Sequence, residues 1–234
     1  MTRFLRRHAV RIVIGAVLVV AVYGAISVYA TYQREQRIAK EIEAYGEKVD
    51  WQYFGPDWIP QSIRDRTMLF GRVTVIYLDN SLVTDAGLEH LKELTKLKAL
   101  YLSNTQVTDA GLEHLKELTN LEWLDLSNTH VTDAGLQHLK GLTNLTEFDL
   151  CNPKLTDANG HVSNTQVTDA GLEHLKGLTT LAKLAVSNTT DAGLEHLKGL
   201  TNLESLYISN RQTTEEGRAM LRKALPNCKV EPDP

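Results

Sequence analysis

A four-residue string, Thr-Asp-Ala-Gly, recurs along the C-terminal two-thirds of the chain and constrains the fold more than any other feature. It begins at Thr84, Thr108, Thr132, Thr168 and Thr190, with a TDAN variant at Thr156 and a TEEG variant at Thr214. The first three intervals are 24 residues each, and the later ones are 12, 22 and 24. Such a period predicts stacked copies of one small unit rather than a single globular core.

The regular unit from Leu97 to Asn120 contains two halves with different periods. Leu100 and Leu102 alternate with Tyr101, which predicts a short strand. A stripe of leucines at a spacing of three then predicts a helix, and either the Thr or the Asp of the TDAG string can cap its N-terminus. One such unit cannot bury its own leucines, so the units are expected to stack and to pair their strands in parallel.

This motif, written LxxLxLxxTxVTDAGLxxLxxLTx, resembles the leucine-rich repeats of the 24-residue bacterial type, which are similar to the GALA and cysteine-containing classes. The resemblance implies an α/β solenoid, with parallel strands on a concave face and helices on a convex face. It also implies a binding module rather than an enzyme, because the fold serves many unrelated partners. Many such repeats carry Asn or Cys where this chain has threonine, and a threonine hydroxyl there is expected to bond backbone in the next coil. These threonines are Thr105, Thr129, Thr165 and Thr189.

We predict about six coils over residues 73–213, two of them irregular. Residues 145–180 read as one enlarged coil with a loop near Cys151–Val162, because a 12-residue interval is too short for a complete coil. The alternative is a remnant of a repeat that has lost its helix. The following coil lacks two residues of its turn near Thr189.

Both ends of a solenoid need covering. Residues 51–72 are rich in aromatic side chains and are predicted to form the N-terminal cap, with a linker as the alternative. Residues 214–234 are predicted to form the C-terminal cap, in which a helix from Glu215 to Leu225 ends at Pro226 and Cys228 to Val230 close the sheet edge.

The N-terminal region predicts a membrane anchor. A basic tail, residues 1–11, precedes an uncharged apolar run, residues 12–30, which as a helix would reach about 28 Å, close to the hydrocarbon thickness of a bilayer. A cleaved signal peptide is the alternative. Residues 31–50 are predicted to continue as a charged helical stalk. The arginines before the run favour the N-terminus inside and the repeats outside, which in a bacterium is the periplasmic side of the inner membrane.

Composition narrows the choice of partners and cofactors. The formal net charge is −4, so no basic surplus indicates a nucleic-acid binder. Cys151 and Cys228 are too few and too far apart to predict a disulfide framework or a zinc site. No cofactor and no catalytic residue are predicted.

Five histidines occupy one equivalent position in successive helices and raise the question of a metal site. Neighbouring helices lie about 8–10 Å apart, whereas zinc ligands lie about 2 Å from the metal, so one ion cannot join them. They are interpreted as exposed residues inherited with the repeat. The column consists of His90, His114, His138, His174 and His196.

The candidate site lies on the concave face, where strand residues beside the inward leucines point outward. Two rows of such residues are predicted to run across the strands. They place an aromatic group next to an acidic one, which suits a partner with basic side chains. The candidate partner-binding residues are Tyr77, Tyr101, Trp123, Asp125, Glu147 and Asp149.

The leading hypothesis is therefore a membrane-anchored, protein-binding scaffold with an unknown protein ligand. One alternative is an F-box-like substrate receptor, which needs an adaptor-binding helical segment before the repeats. Another is a repeat solenoid without a specific ligand. An enzyme would need chemistry that the repeat pattern does not supply.

Overall fold

The computed structural model describes residues 26–43, 48–53, 71–156, 162–164, 166–208 and 212–231. Ten strands lie within these residues, and eight of them form one sheet in the order β1-β2-β3-β4-β5-β8-β9-β10. The strands are β1 Lys48–Tyr53, β2 Gly71–Tyr77, β3 Ala99–Tyr101, β4 Trp123–Asp125, β5 Glu147–Asp149, β6 Cys151–Thr156, β7 Val162–Asn164, β8 Lys183–Val186, β9 Ser205–Ile208 and β10 Lys229–Glu231.

Strands β2 to β10 of this sheet pair in parallel, and only β1 is antiparallel to its neighbour β2. Between successive strands the chain returns through short helices, so each strand-helix unit forms one coil. Residues 26–43 form helix α1. The later helices are α2 Asp85–Glu89, α3 Asp109–Leu112, α4 Asp133–Leu136, α5 Asp169–Leu172, α6 Asp191–Leu197 and α7 Glu215–Ala224. A single 3₁₀ turn extends each of α2 to α5.

The core is a continuous column of leucines contributed by every coil. In the coil that contains β3, the strand residue Leu100 and the helical residues Leu112, Leu115 and Leu118 are all completely buried. Strands β3, β4 and β5 each have a buried central residue between two partly exposed neighbours. The strand and helix periods therefore lead into the same core, as the sequence predicted.

A carboxylate ladder joins each coil to the next through the TDAG string. Asp109 accepts hydrogen bonds from the backbone N–H of Thr132 at 2.7 Å and from its hydroxyl at 2.6 Å. The hydroxyl oxygen of Thr132 in turn accepts from the N–H of Ala134, which caps helix α4. Thr is thus the cap, and Asp bonds forward to the following coil. Four further junctions repeat this arrangement: Asp85 with Thr108, Asp133 with Thr168, Asp169 with Thr190 and Asp191 with Thr214.

The same ladder explains the glycine of the string. A Cβ atom added at Gly135 would overlap with Oδ1 of Asp109, the oxygen that accepts from Thr132. Glycines at the equivalent position of four other coils, Gly111, Gly171, Gly193 and Gly217, face the preceding Asp in the same way. The fourth letter of the motif therefore provides space for the carboxylate of the preceding coil.

The turns after the strands carry a second ladder, formed by asparagine. Asn80, Asn104, Asn128 and Asn188 have positive φ angles between 52° and 61°, a conformation that Asn tolerates better than most residues. The side-chain amide of Asn104 donates to Asn80 at 3.0 Å, and that of Asn128 donates to Asn104 at 2.5 Å.

The threonines that follow these turns act within their own coils. Thr105 and Thr129 donate to the carbonyls of Leu102 and Leu126, three residues earlier, at 2.7 Å. Thr189 likewise donates to Ser187 at 3.1 Å. The predicted bond to the next coil was wrong, because these buried side chains lie within reach of their own turn. Thr165 is outside the described residues.

The enlarged coil keeps its place in the main sheet, since β5 pairs directly with β8. Strands β6 and β7 form a separate two-stranded antiparallel sheet between them in sequence. The ladder passes from Asp133 to Thr168, 35 positions apart, where regular junctions span 23. It thereby bypasses the TDAN string, which carries Asn159 in place of the required glycine.

Helix α1, which overlaps the segment 31–50 predicted as a charged helical stalk, packs against the first coil. Its Ile38, Ala39 and Ile42 belong to the main core. Glu35 is 3% exposed and accepts from the N–H of Val73 at 2.9 Å. Burial raises the pKa of the Glu35 carboxyl, and the Val73 N–H and the Arg72 guanidinium oppose this effect. Charged residues surround Ile38, Ala39 and Ile42 in the sequence, so the apolar stripe that these three residues form was not recognised.

The predicted N-terminal cap over residues 51–72 lies mostly outside the described residues. Its first three residues belong to β1, which borders β2. At the other end, α7 runs from Glu215 to Ala224 and β10 pairs in parallel with β9. Leu221 and Leu225 are buried against the last coil.

Residues 1–25, which include most of the predicted anchor at 12–30, are outside the described part of the chain. Within the part that is described, no helix has the length and apolar character needed to cross a bilayer.

We expect Gly135→Ala to lower the free energy of unfolding by about 2–3 kcal/mol, because the new methyl group displaces the Asp109 carboxylate from both of its Thr132 donors. Urea denaturation measures this change. Gly141→Ala is the matched control, since its Cβ would meet only a carbonyl oxygen at 3.8 Å and other coils carry Glu at that position. The control should be neutral or slightly stabilising. Equal losses in the two variants would contradict the steric role of the ladder.

Candidate functional site

The strand registers place the outward-facing residues in two straight rows. Val75, Ala99, Trp123, Glu147, Lys183 and Ser205 are successive Cα partners, and so are Tyr77, Tyr101, Asp125, Asp149, Ala185 and Tyr207. Neighbouring strands lie about 4.8 Å apart, so side chains in a row are in contact range. The six candidate residues form one continuous surface, which we call the aromatic–acidic patch: Tyr77, Tyr101, Trp123, Asp125, Glu147 and Asp149.

The aromatic half of the patch is a stack of three rings. Tyr77 and Tyr101 are 5.0 Å apart at their centroids and nearly parallel, at 8°. Tyr101 and Trp123 are 5.6 Å apart and tilted by 40°. Stacking across adjacent strands holds these rings in fixed positions at the sheet surface. All three side chains remain partly exposed, so the stack offers a rigid apolar surface to a partner.

The acidic half lies on the next two strands. Asp125 and Asp149 are Cα partners on β4 and β5, and Glu147 shares β5 with Asp149. Burial raises the pKa of Asp149 to about 7, and the neighbouring Asp125 and Glu147 carboxylates add to this effect. Burial also raises the pKa of Asp125, although the backbone N–H of Ser127 donates to it at 2.8 Å.

Compensating charge reaches only part of this acidic group. Lys183 on β8 forms an ion pair with Glu147 at 2.9 Å. Across the described residues, no Lys or Arg forms an ion pair with Asp125 or Asp149. Alanine stands next to Asp149 in its row, because Ala185 is the β8 partner. Among the described residues, two partly buried carboxylates therefore lie side by side without an ion-pair partner.

The border of the patch toward β8 and β9 is apolar. Cys151 is fully buried together with Ala185, and Tyr207 packs against them. Neither Cys151 nor Cys228 forms a disulfide. Cys151, the first residue of β6, thus covers Ala185 at the edge of the patch next to Asp149.

Lys183 is a member of the site that is absent from the six residues predicted from the sequence. Its pairing with Glu147 depends on strand β8 following β5 in the sheet. The pairing follows from the sequence if residues 145–180 form one coil, because β8 is then the next strand after β5. The role of the six candidate residues in binding remains a prediction.

The histidine column does not form a metal centre in the described part of the chain, where no three His, Cys, Asp or Glu side chains group closely enough to hold an ion. His90 is exposed and the other four are partly exposed. Asp109, which recurs with His114 in each repeat, bonds to Thr132 and is committed to the ladder.

Comparison with known proteins supports the repeat class. The family described as "Leucine rich repeat" matches residues 71–131, and "Leucine Rich repeats (2 copies)" matches residues 119–161. No curated protein matches the chain. These matches show that residues 71–161 are similar to leucine-rich repeats, and the coils beyond them repeat the same strand and helix arrangement.

Two solved structures resemble the chain to different degrees. An internalin (inlF) from Listeria monocytogenes is 24% identical with a TM-score of 0.52, and the match covers 68% of this chain and 40% of the internalin. The chain therefore spans less than half of that protein. The LRR ectodomain of the receptor kinase SOBIR1 from Arabidopsis thaliana is 18% identical with a TM-score of 0.46, covering 77% of this chain and 95% of the ectodomain. The internalin likeness supports the repeat solenoid fold alone.

We expect the Asp149 carboxyl to make stability fall as pH rises. The pKa of this group rises from 3.8 to about 7 on folding, so between these values the folded chain holds a proton that the unfolded chain has released. The contribution is fully present below pH 3.8 and is lost as pH rises through about 7. Asp149→Asn should therefore gain on the order of 4 kcal/mol relative to the natural chain between pH 4 and pH 8.

Urea denaturation at a series of pH values measures this difference. Asp191→Asn is a useful contrast, because the Thr214 hydrogen bonds lower the pKa of that carboxyl. The stabilisation from the Asp191 carboxylate should be present above its ordinary pKa of 3.8 and should be lost as pH falls through its lowered pKa in the folded chain. Parallel pH profiles for Asp149→Asn and the natural chain would show that Asp149 is not desolvated.

Proposed function

We propose that the protein is a protein-binding scaffold whose contact surface is the aromatic–acidic patch on the concave side of the sheet. The observation that carries this proposal is the fixed stack of Tyr77, Tyr101 and Trp123 beside the acidic residues of β4 and β5. Rigid aromatic side chains give large contact area at low entropic cost and are enriched among residues that dominate binding energy.

The size of the surface also suits a protein ligand. The rows cross six strands from β2 to β9, which is about 24 Å at the usual strand spacing. The buried central residues of the strands and the carboxylate ladder hold the fold together without the row residues. These outward positions can therefore carry recognition chemistry without weakening the core.

We also propose that residues 12–30 anchor the chain in a membrane as a single span, with the repeats on the extracytoplasmic side. The apolar run and the arginines before it support this proposal. The packing of α1 on the first coil, through Ile38 and Ile42, would then place the repeats close to the bilayer rather than on a long stalk.

The F-box-like alternative receives no support from the described residues. It needs a helical segment available to an adaptor, whereas α1 contributes Ile38, Ala39 and Ile42 to the core of the repeats. The other alternative is a repeat solenoid without a specific ligand. The following experiment distinguishes it from a protein-binding scaffold.

Photo-crosslinking in the native host tests the contact surface. A photoreactive amino acid at Lys183, which is exposed beside the patch, should give a discrete adduct with a partner, and one at Gln137 on the helical side should not. The double variant Trp123→Ala/Asp125→Ala should reduce the Lys183 adduct about tenfold, because it removes one ring of the stack and one carboxylate.

The matched control for this experiment is Glu113→Ala/Lys116→Ala, an exposed pair on the helical side that should leave the adduct unchanged. Circular dichroism must show that both double variants fold. An adduct that persists in Trp123→Ala/Asp125→Ala would reject the patch as the contact surface. Absence of any adduct at Lys183 would favour a solenoid without a ligand.

The anchor is tested by membrane extraction of the full chain. The natural protein should stay in the membrane fraction at alkaline pH. Leu18→Arg/Val22→Arg should release it, since each charge in the centre of a span costs about 2.5–3.5 kcal/mol. Leu18→Ile/Val22→Ile should behave like the natural chain. A mature N-terminus near Ala30, found by mass spectrometry, would instead show a cleaved signal peptide, and protease protection of the repeats in spheroplasts would reverse the orientation.

A further inference from the structure

Four residues at the centre of the patch form a rectangle two strands wide. Trp123 and Glu147 are Cα partners along one edge, and Asp125 and Asp149 are Cα partners along the other. Strands lie about 4.8 Å apart and residues two positions apart on a strand about 6.8 Å apart. Three carboxylates and one indole ring therefore lie together on the outer face, over an area comparable to that of a single planar cationic group.

The charge in this space is incompletely balanced. Lys183 neutralises Glu147 from the outer edge, at 2.9 Å. Asp125 accepts from the backbone N–H of Ser127, two residues further along the chain, and no cation is paired with Asp149 in the described part of the chain. Burial raises the pKa of both aspartates. Partly desolvated acids without an ion-pair partner cost stability, and such costs concentrate at binding sites.

The indole of Trp123 provides a second, independent observation at the same place. Its Nε1 atom is buried and has no hydrogen-bond acceptor in the described structure. Most buried N–H groups in folded proteins are paired, and an unpaired one calls for an explanation. Because this atom is inaccessible from the surface, a ligand on the outer face would meet the partly exposed ring of Trp123 and the two aspartates.

We propose that this rectangle of Trp123, Asp125, Glu147 and Asp149 is a receptor for an arginine side chain on a partner protein. The inference rests on the proposed function, since it specifies the chemistry of the partner that the patch binds. Charge complementarity requires a cation, and the adjoining rings favour guanidinium over ammonium. A guanidinium is planar, stacks on aromatic rings, is weakly hydrated and donates to two carboxylates at once.

The arrangement of the patch gives each side chain a separate task. Asp125 and Asp149 accept from the two donor edges of the guanidinium, and the Trp123 ring contacts its face. Glu147 is already held by Lys183 and contributes less. The Tyr77–Tyr101 stack beyond Trp123 then receives the neighbouring apolar residues of the same segment.

Fluorescence anisotropy with synthetic peptides tests this receptor on the full chain in detergent. Three labelled Gly-Ser dodecapeptides carry arginine, lysine or the neutral isostere citrulline at the same three positions. The arginine peptide should bind at physiological salt, the lysine peptide about threefold or more weakly, and the citrulline peptide at least about tenfold more weakly.

Two double variants with equal charge change separate the site from general electrostatics. Asp125→Asn/Asp149→Asn keeps the side-chain shapes and should weaken the arginine peptide about tenfold or more. Glu113→Gln/Glu117→Gln removes the same charge from the helical side and should leave the affinity unchanged. Trp123→Phe should retain most of the affinity and Trp123→Leu should lose it, which tests the ring without relying on a drastic truncation.

Equal loss in the two charge-matched variants overturns the receptor, because it shows a general attraction between an acidic protein and a basic peptide. Equal affinity for the lysine and arginine peptides overturns the guanidinium preference and with it the proposal. If no arginine peptide binds while the Lys183 adduct still depends on Trp123 and Asp125, the receptor is wrong and the scaffold function stands. Loss of that dependence rejects the scaffold surface itself.

Discussion

The hydrogen bonds from the Thr of one coil to the Asp of the preceding coil set the geometry of the whole repeat array. At each of the five junctions seen, one carboxylate accepts from both the N–H and the hydroxyl of a threonine at 2.5–2.9 Å. Charge-assisted bonds of this kind are directional, so they fix the rotation of one coil on the next. The leucine core supplies burial without direction, and the ladder supplies the register.

Because the leucine core and the ladder hold the coils together, the outward strand positions are not needed for the packing of the core. In the coil of β4, Leu124 fills the core while Trp123 and Asp125 face outward. Their counterparts change from coil to coil, whereas the helical side repeats nearly the same residues. The residues of the patch therefore differ from coil to coil, and the unchanging residues of the repeat hold them in position. Rigid support of this kind keeps recognition side chains in fixed places.

The sequence predicted the parts of this structure that depend on short-range periodicity. Alternation along each strand was enough to assign Trp123 and Asp125 to the outer face. The hydrogen bonds from Thr132 to Asp109 could not be predicted from the sequence, because in a TDAG string either Thr or Asp can cap the helix. Only the position of the next coil decides between the two. The burial of Glu35 was hidden for the same reason, since its partners Arg72 and Val73 lie far along the chain.

The irregular coils decide which charges meet on the sheet. If every interval were 24 residues, the TDAG copy that begins at Thr168 would have its own strand beside β5, and β8 would be one position further away. Asn159 stands where the ladder requires glycine, and the ladder passes directly from Asp133 to Thr168. Strand β8 thus comes next to β5 and sets Lys183 beside Glu147 but Ala185 beside Asp149. In the described part of the chain one acid therefore gains an ion-pair partner and its neighbour does not, so this difference in charge balance arises from the break in the repeat rather than from the repeat itself.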